Sequence, residues 1–225
     1  MGGGGFSMEP DNPLLDDFVL GLSGKERPRV CFVPTASGDS ASYTERFYAA
    51  FGGGRAEPSH LPLFQHDGRD VRQFLCQQDV LYAGGGSTFN LLLLWRGHGL
   101  HTTIREAYRR GVVLAGISAG ANCWFDACVT DSFGPLAALH DGLVLLRGSC
   151  CPHYDGEAER RPAYHRLVTQ GLPSGIALED GAAAHYVNGE LHEVVTSRPA
   201  AGAYRVEMVG EQVAEEPLPV SYLGP

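Results

Sequence analysis

Positive charge is scarce in this sequence. Lys25 is its one lysine, and 17 Lys and Arg stand against 26 Asp and Glu, for a formal net charge of −9. That balance excludes the clustered basic footprint of a nucleic-acid binder. Long apolar runs are also missing. Stretches such as Leu91-Leu92-Leu93-Leu94-Trp95 fall far short of the ~20 residues of a membrane span. No basic stretch followed by an apolar one opens the chain, so no secretory leader is expected. The six cysteines, Cys31, Cys76, Cys123, Cys128, Cys150 and Cys151, contain no C-x-x-C pair and no metal-ligand spacing. They read as reduced, mostly buried thiols of a cytoplasmic protein. No G-x-x-x-x-G-K-[ST] motif is present, which argues against phosphate binding at Gly84-Gly85-Gly86.

Glycine, by contrast, is abundant, at 30 residues, and hydrophobic residues make up 44% of the chain. The length suits one domain over residues 1–225. Strand-like runs alternate with helix-like segments. Residues 29–33, 57–63, 79–83 and 112–115 read as strands; residues 42–51, 71–77, 89–95 and 103–110 read as helices. A turn is expected at His66-Asp67-Gly68. This alternation predicts an α/β fold, a three-layer α/β/α sandwich around a mostly parallel sheet. After residue 175 the runs shorten. Residues 175–178, 183–187, 191–196 and 204–209 read as antiparallel strands at an edge of that same sheet. Asn188-Gly189 marks a hairpin between two of them.

The most informative segment is Gly116-Ile117-Ser118-Ala119-Gly120. It follows the apolar run 112–115 and precedes residues 121–126, which read as a helix. G-x-S-x-G between a strand and a helix forces a sharp turn that exposes the central serine at the carboxyl edge of a sheet. Gly84-Gly85-Gly86 ends another strand, so both turns open onto the edge where ligands of such sheets bind.

A serine hydroxyl needs a base within hydrogen-bond reach, and the base needs an orienting group. Of nine histidines, His153 is placed best. It follows the apolar run 143–146, which reads as a strand, and lies in the loop Cys150-Cys151-Pro152-His153-Tyr154-Asp155. Asp126, Asp131, Asp155, Glu157, Glu179 and Asp180 all compete for the third place, and spacing does not choose among them.

Four segments, in order, resemble the peptidase E (α-aspartyl dipeptidase) family of serine peptidases. They are Gly84-Gly85-Gly86-Ser87-Thr88-Phe89, Gly116-Ile117-Ser118-Ala119-Gly120-Ala121-Asn122, Cys151-Pro152-His153-Tyr154 and Ile176-Ala177-Leu178-Glu179-Asp180-Gly181. Weaker likeness runs from Arg29 to about Val209. The resemblance implies a fold similar to class I glutamine amidotransferase domains, with Ser118 as nucleophile, His153 as base and Asp180 as orienting acid. Glu179 is one step away, and strand neighbours face opposite ways. The oxyanion hole is expected from the N–H of Ala119 and that of Gly85 or Gly86. Arg160 or Arg161 resembles the family's aspartate-binding arginine; alternatively they pair with Glu157 or Glu159. The Met1-Gly5 run resembles a glycine-rich first loop of some relatives.

These readings predict a cytoplasmic serine peptidase acting on short peptides, with Asp-X dipeptides as the finer expectation, and with no metal or cofactor. A homodimer is left open. The rivals are another acyl hydrolase on the same frame (isopeptidase, amidase or esterase) and a non-catalytic binding protein that retains the fold.

Overall fold

The computed structural model describes residues 1–65 and 67–225, so His66 of the expected turn lies outside the described residues. The helices are α1 (Gly5–Met8), α2 (Leu14–Gly21), α3 (Ala41–Phe51), α4 (Val71–Cys76), α5 (Thr88–Gly97), α6 (Leu100–Arg109), α7 (Ala119–Asn122) and α8 (Arg160–Thr169). The first strands are β1 (Arg29–Val33), β2 (Glu57–His60), β3 (Val80–Ala83) and β4 (Val113–Gly116). They form a parallel sheet in the order β2-β1-β3-β4.

Both faces of this sheet are covered, and the strand sequences show why. Side chains alternate between faces along a strand. Val30, Phe32, Val80 and Tyr82 pack with Phe6, Leu15, Phe47 and Phe51 of α1, α2 and α3. Cys31, Val33, Leu81 and Ala83 pack with Leu75, Leu91, Trp95 and Ile104 of α4, α5 and α6. Near-continuous apolar runs such as Val30–Val33 are the signature of strands buried on both sides. Asp70 and Ser87 start α4 and α5 by accepting the N–H of Gln73 and Asn90, as N-cap side chains do.

The later strands are β5 (Phe125–Thr130), β6 (Ala137–Leu139), β7 (Leu146–Cys151), β8 (Gly175–Leu178), β9 (Ala182–Val187), β10 (Glu190–Thr196), β11 (Ala203–Val209), β12 (Gln212–Pro217) and β13 (Ser221–Tyr222). Here the structure departs from the sequence reading in three ways. The helix expected over residues 121–126 stops at Asn122. Phe125, Ala127, Cys128 and Val129 are all buried, which suits a strand paired with β7 better than a helix with one apolar face. The strand expected over residues 143–146 is mostly connector. Leu143 N–H is taken by Cys123 O and Leu145 N–H by Trp124 O, and β7 begins only at Leu146.

The third departure concerns the carboxyl-terminal strands. They do not share one edge. β8, β11 and β12 belong to a mixed six-stranded ladder, β12-β11-β8-β7-β5-β6, while β9 and β10 join β13 in a ladder of three. Gly181, at φ 86°, turns the chain between the two ladders. The Asn188-Gly189 hairpin connects β9 to β10, with both residues at positive φ, as a two-residue turn of that type requires.

Candidate functional site

Ser118 lies at the carboxyl end of β4, immediately before α7. Its φ of 55° and ψ of −115° place a non-glycine residue in a sparsely populated region. Close packing holds it there. A Cβ on Gly120 would come within 2.1 Å of Ala83 O, so only glycine lets α7 approach β3. The Ser118 N–H donates to Met1 O at 3.1 Å, which fixes the turn from its other side.

His153 follows β7 and also has a φ of 55°. Its Nδ1 lies 2.7 Å from Asp180 Oδ1, just beyond the end of β8. The two loops are joined at further points. Tyr154 N–H donates to Leu178 O at 3.1 Å, and Asp180 N–H donates to Asp155 Oδ1 at 2.8 Å. The hydrogen bond from His153, with the charges of His153, Arg198 and Arg160, holds the Asp180 carboxyl below the usual range against the opposing effect of burial.

Glu179 is engaged elsewhere. Its Oε2 accepts the Gly202 N–H at 2.7 Å and its Oε1 the Tyr204 hydroxyl at 3.0 Å. The other candidate carboxylates have separate tasks. Asp126 accepts the Gly148 N–H, Asp155 accepts the Asp180 N–H, and Asp131 and Glu157 lie against Arg160.

The glycine turn after β3 comes directly beside the serine. A Cβ on Gly85 would lie 3.4 Å from Ser118 Cβ. The expected donors differ in availability. Gly85 N–H already donates to the Tyr43 hydroxyl at 3.3 Å. Among the described residues, the N–H groups of Gly86 and Ala119 have no internal acceptor. These two are the expected donors left without an internal partner.

Neither expected carboxylate-binding arginine is free. Arg160 is only 3% exposed. Its Nε donates to Glu157 Oε2 at 2.6 Å and its Nη1 to Val129 O at 3.4 Å, with Asp131 3.7 Å from Nη2. The Arg161 guanidinium lies 4.7 Å from the Tyr154 ring centre and 4.8 Å from that of Tyr204, and it pairs with Glu215 at 3.3 Å. Of the two pairings weighed for these arginines, the structure shows Glu157 for Arg160.

Two features escaped the sequence reading. His185, His192 and Glu193 place their ligand atoms within 4.8 Å of one another, although their spacing carries no metal motif. His185 Nδ1 is engaged by Glu193 at 3.1 Å. The second feature is the course of Met1–Gly3. Met1 O takes the Ser118 N–H, and Gly3 bridges Asp180, so three consecutive residues connect the serine turn to the carboxylate. At roughly 3.3 Å per extended residue, the link spans about 7 Å. A Cβ on Gly3 would lie 2.0 Å from Asp180 Oδ1, which explains glycine in this part of the opening run.

The serine on its strand-to-helix turn and the imidazole–carboxylate pair are thus tied together by a short backbone link. The comparisons with known proteins give the class: peptidases. The profile of Peptidase family S51 matches residues 1–194, and the chain belongs to that family. It is 56% identical to the uncharacterized peptidase YgaJ of Bacillus subtilis (strain 168), covering all of this chain and 97% of YgaJ. Peptidase E of Haemophilus influenzae is 28% identical, over 81% of this chain and 86% of that protein. In fold, the chain resembles the crystal structure of a peptidase from an acI-B1 Actinobacterium. The TM-score is 0.68 at 18% identity, with 95% of this chain and 91% of the other covered.

Proposed function

We propose that this chain is a serine peptidase of short peptides, with Ser118 as nucleophile, His153 as general base and Asp180 as the carboxylate that orients it. The observation that carries the reading is the 2.7 Å contact between His153 Nδ1 and Asp180 Oδ1, on the edge where the Ser118 turn lies. With Nδ1–H directed at Asp180, Nε2 of the neutral imidazole is an acceptor and can take the Ser118 proton. Ser118 Oγ then attacks the scissile carbonyl. The tetrahedral oxygen is received by the Gly86 and Ala119 N–H groups, and donors of this kind contribute about 3–4 kcal/mol each. His153 returns the proton to the leaving amine, and water hydrolyses the acyl-enzyme.

The finer question is Asp-X specificity. Selecting an aspartyl side chain requires a cation without a tight internal partner, and Arg160 and Arg161 are both paired. The reading supported best is a short-peptide peptidase with little preference for Asp at the first position. Its compartment in this reading is the cytoplasm: all six cysteines are free thiols, five of them buried, which suits a reducing environment. Labelling the purified chain with a fluorophosphonate probe and mapping the adduct tests the nucleophile, and a dipeptide and tripeptide panel tests the substrate class. A folded protein that takes up no probe at Ser118 and cleaves no peptide of the panel sinks the reading.

A further inference from the structure

His185, His192 and Glu193 are brought together by the backbone, which is why their spacing shows no motif. β9 and β10 form an antiparallel hairpin through Asn188-Gly189. Leu191 lies opposite Tyr186 and Glu193 opposite His185, so His192 is an extra residue without a partner on β9. An extra residue of this kind is a β-bulge, a device that re-aims side chains. The packing shows its effect. Leu191 and Val194, three apart, pack on the same core, together with Ala184 and Tyr186 of β9. In an unbroken strand, residues three apart face opposite ways. The bulge therefore puts both His192 and Glu193 on the face away from that core. His185, between Ala184 and Tyr186, lies on the same face of the hairpin.

The three side chains meet there, with their ligand atoms all within 4.8 Å of one another. The His185 and His192 ring centres are 5.3 Å apart, and the rings cross at 79°. Phe18 of α2 packs across the His185 ring, at 5.8 Å between centres, which restricts its rotation. A hydrogen bond between His185 Nδ1 and Glu193 Oε1, at 3.1 Å, accounts for two of the three residues. It does not account for His192. Among the described residues, the His192 ring makes no hydrogen bond, and no Lys or Arg pairs with Glu193.

The donor set decides the kind of ligand. Two imidazole nitrogens and one carboxylate oxygen, with no thiol, suit a borderline divalent cation such as zinc, whereas magnesium and calcium take oxygen shells. In a tetrahedral zinc site, bonds of about 2.0–2.2 Å set ligand atoms about 3.3 Å apart. His185 and Glu193 are already close to that separation. From 4.8 Å, the widest spacing closes with a side-chain movement of roughly 1.5 Å. His192 is exposed, so its ring has room to make that movement.

We propose that His185, His192 and Glu193 form a zinc site that staples β9 to β10, with three protein ligands and water in the fourth position. The site is separate from the peptidase reading and uses none of its residues. Zinc bound only by the folded chain stabilises it by mass action.

The test uses the untagged chain, stripped with a chelator, and zinc chloride as the probe. Calorimetric titration should give one zinc per chain. At free zinc a hundredfold above Kd, the melting temperature should rise by about 5–10 °C. His192→Gln and Glu193→Gln should each weaken zinc binding at least tenfold. Without zinc, His192→Gln should melt like the wild type, because it removes an exposed ring that makes no hydrogen bond. In NMR spectra of the imidazole nitrogens, zinc should shift His185 and His192 together. His153→Asn should bind zinc as the wild type does. Absence of zinc binding overturns the proposal, as does binding that both His192→Gln and Glu193→Gln retain. Loss of binding in His153→Asn alone overturns it too, because the ion then sits at the His153–Asp180 pair. None of these readouts requires that the chain cleave a peptide, so failure of the peptidase reading leaves the test intact.

Discussion

His153 Nδ1 stands 2.7 Å from Asp180 Oδ1, while Glu179, the next residue along the chain, gives both its carboxylate oxygens to Gly202 and Tyr204. Two adjacent acids thus have separable roles. Asp180→Asn should lower kcat on a peptide substrate by on the order of 10³–10⁴, because the amide no longer fixes the imidazole in the tautomer that accepts the Ser118 proton. Glu179→Gln should act mainly on stability, with a loss of about 1–3 kcal/mol from weakened bonds to a charged acceptor. Steady-state kinetics and thermal melts on the two variants separate these effects. A Glu179→Gln variant that loses activity like Asp180→Asn, while melting like the wild type, would exchange the two assignments.

Ser118 is held at φ 55° and ψ −115°, a conformation that costs a non-glycine residue about 1–3 kcal/mol. Ser118→Ala keeps the Cβ and hence the strain, so its stability should stay near that of the wild type. Ser118→Gly should gain about 1–2 kcal/mol, seen as a melting temperature higher by roughly 3–6 °C. Both variants should lose fluorophosphonate labelling entirely. If Ser118→Gly melts at or below Ser118→Ala, the turn does not store the strain its dihedral angles imply.

The parts of the fold legible in the sequence were those set by local pattern. The runs in β1 and β3 send alternate residues to opposite cores, and Asn188-Gly189 has the conformational freedom its turn demands. Gly116–Gly120 announced its turn because close approach to β3 tolerates no side chain at Gly120. What could not be read depends on long-range partners. Residues 121–126 are apolar enough for a helix or a strand, and only pairing with β7 decides for a strand from Phe125. The occupation of Arg160 needed Val129 and Asp131, about thirty residues away in the chain. The Met1–Gly3 link was hidden in a glycine run that looks the same whether it is a loose loop or a closely packed strand.

Specificity follows from the arginines. With Arg160 held by Glu157 and Val129 O, and Arg161 lying on Tyr154 and Tyr204, no preference of the ten- to hundred-fold size of a free Arg–carboxylate contact is expected. Asp-Leu and Ala-Leu should be hydrolysed at rates within about threefold of each other. Arg160→Ala should instead cost stability, about 1.5–3 kcal/mol, because it removes charged hydrogen bonds made by a buried side chain. A large Asp-Leu preference that disappears in Arg160→Ala or Arg161→Ala would show that one guanidinium leaves its partner for substrate.

Asp16 carries a pH dependence that is independent of the reaction. It is 2% exposed, and burial raises its pKa from 3.8 to about 6. Opposing that rise are the Phe6 backbone N–H, the Arg55 charge and the Tyr82 hydroxyl; Asp17 adds to it. Between about pH 4 and pH 6 the folded chain therefore holds a proton that the unfolded chain has released. This group's contribution to stability is greatest below pH 4, declines as pH rises to 6, and is level above. Asp16→Asn keeps an oxygen for the Phe6 N–H and has no charge to bury. It should be more stable than the wild type at pH 7 by about 1–3 kcal/mol, a two-unit shift being worth at most about 3 kcal/mol. The advantage should shrink toward zero at pH 4. Denaturant titrations of both proteins at pH 4, 5.5 and 7 measure it. An equal difference at all three values would mean that Asp16 stays ionised in the folded chain, with its burial offset by the groups around it.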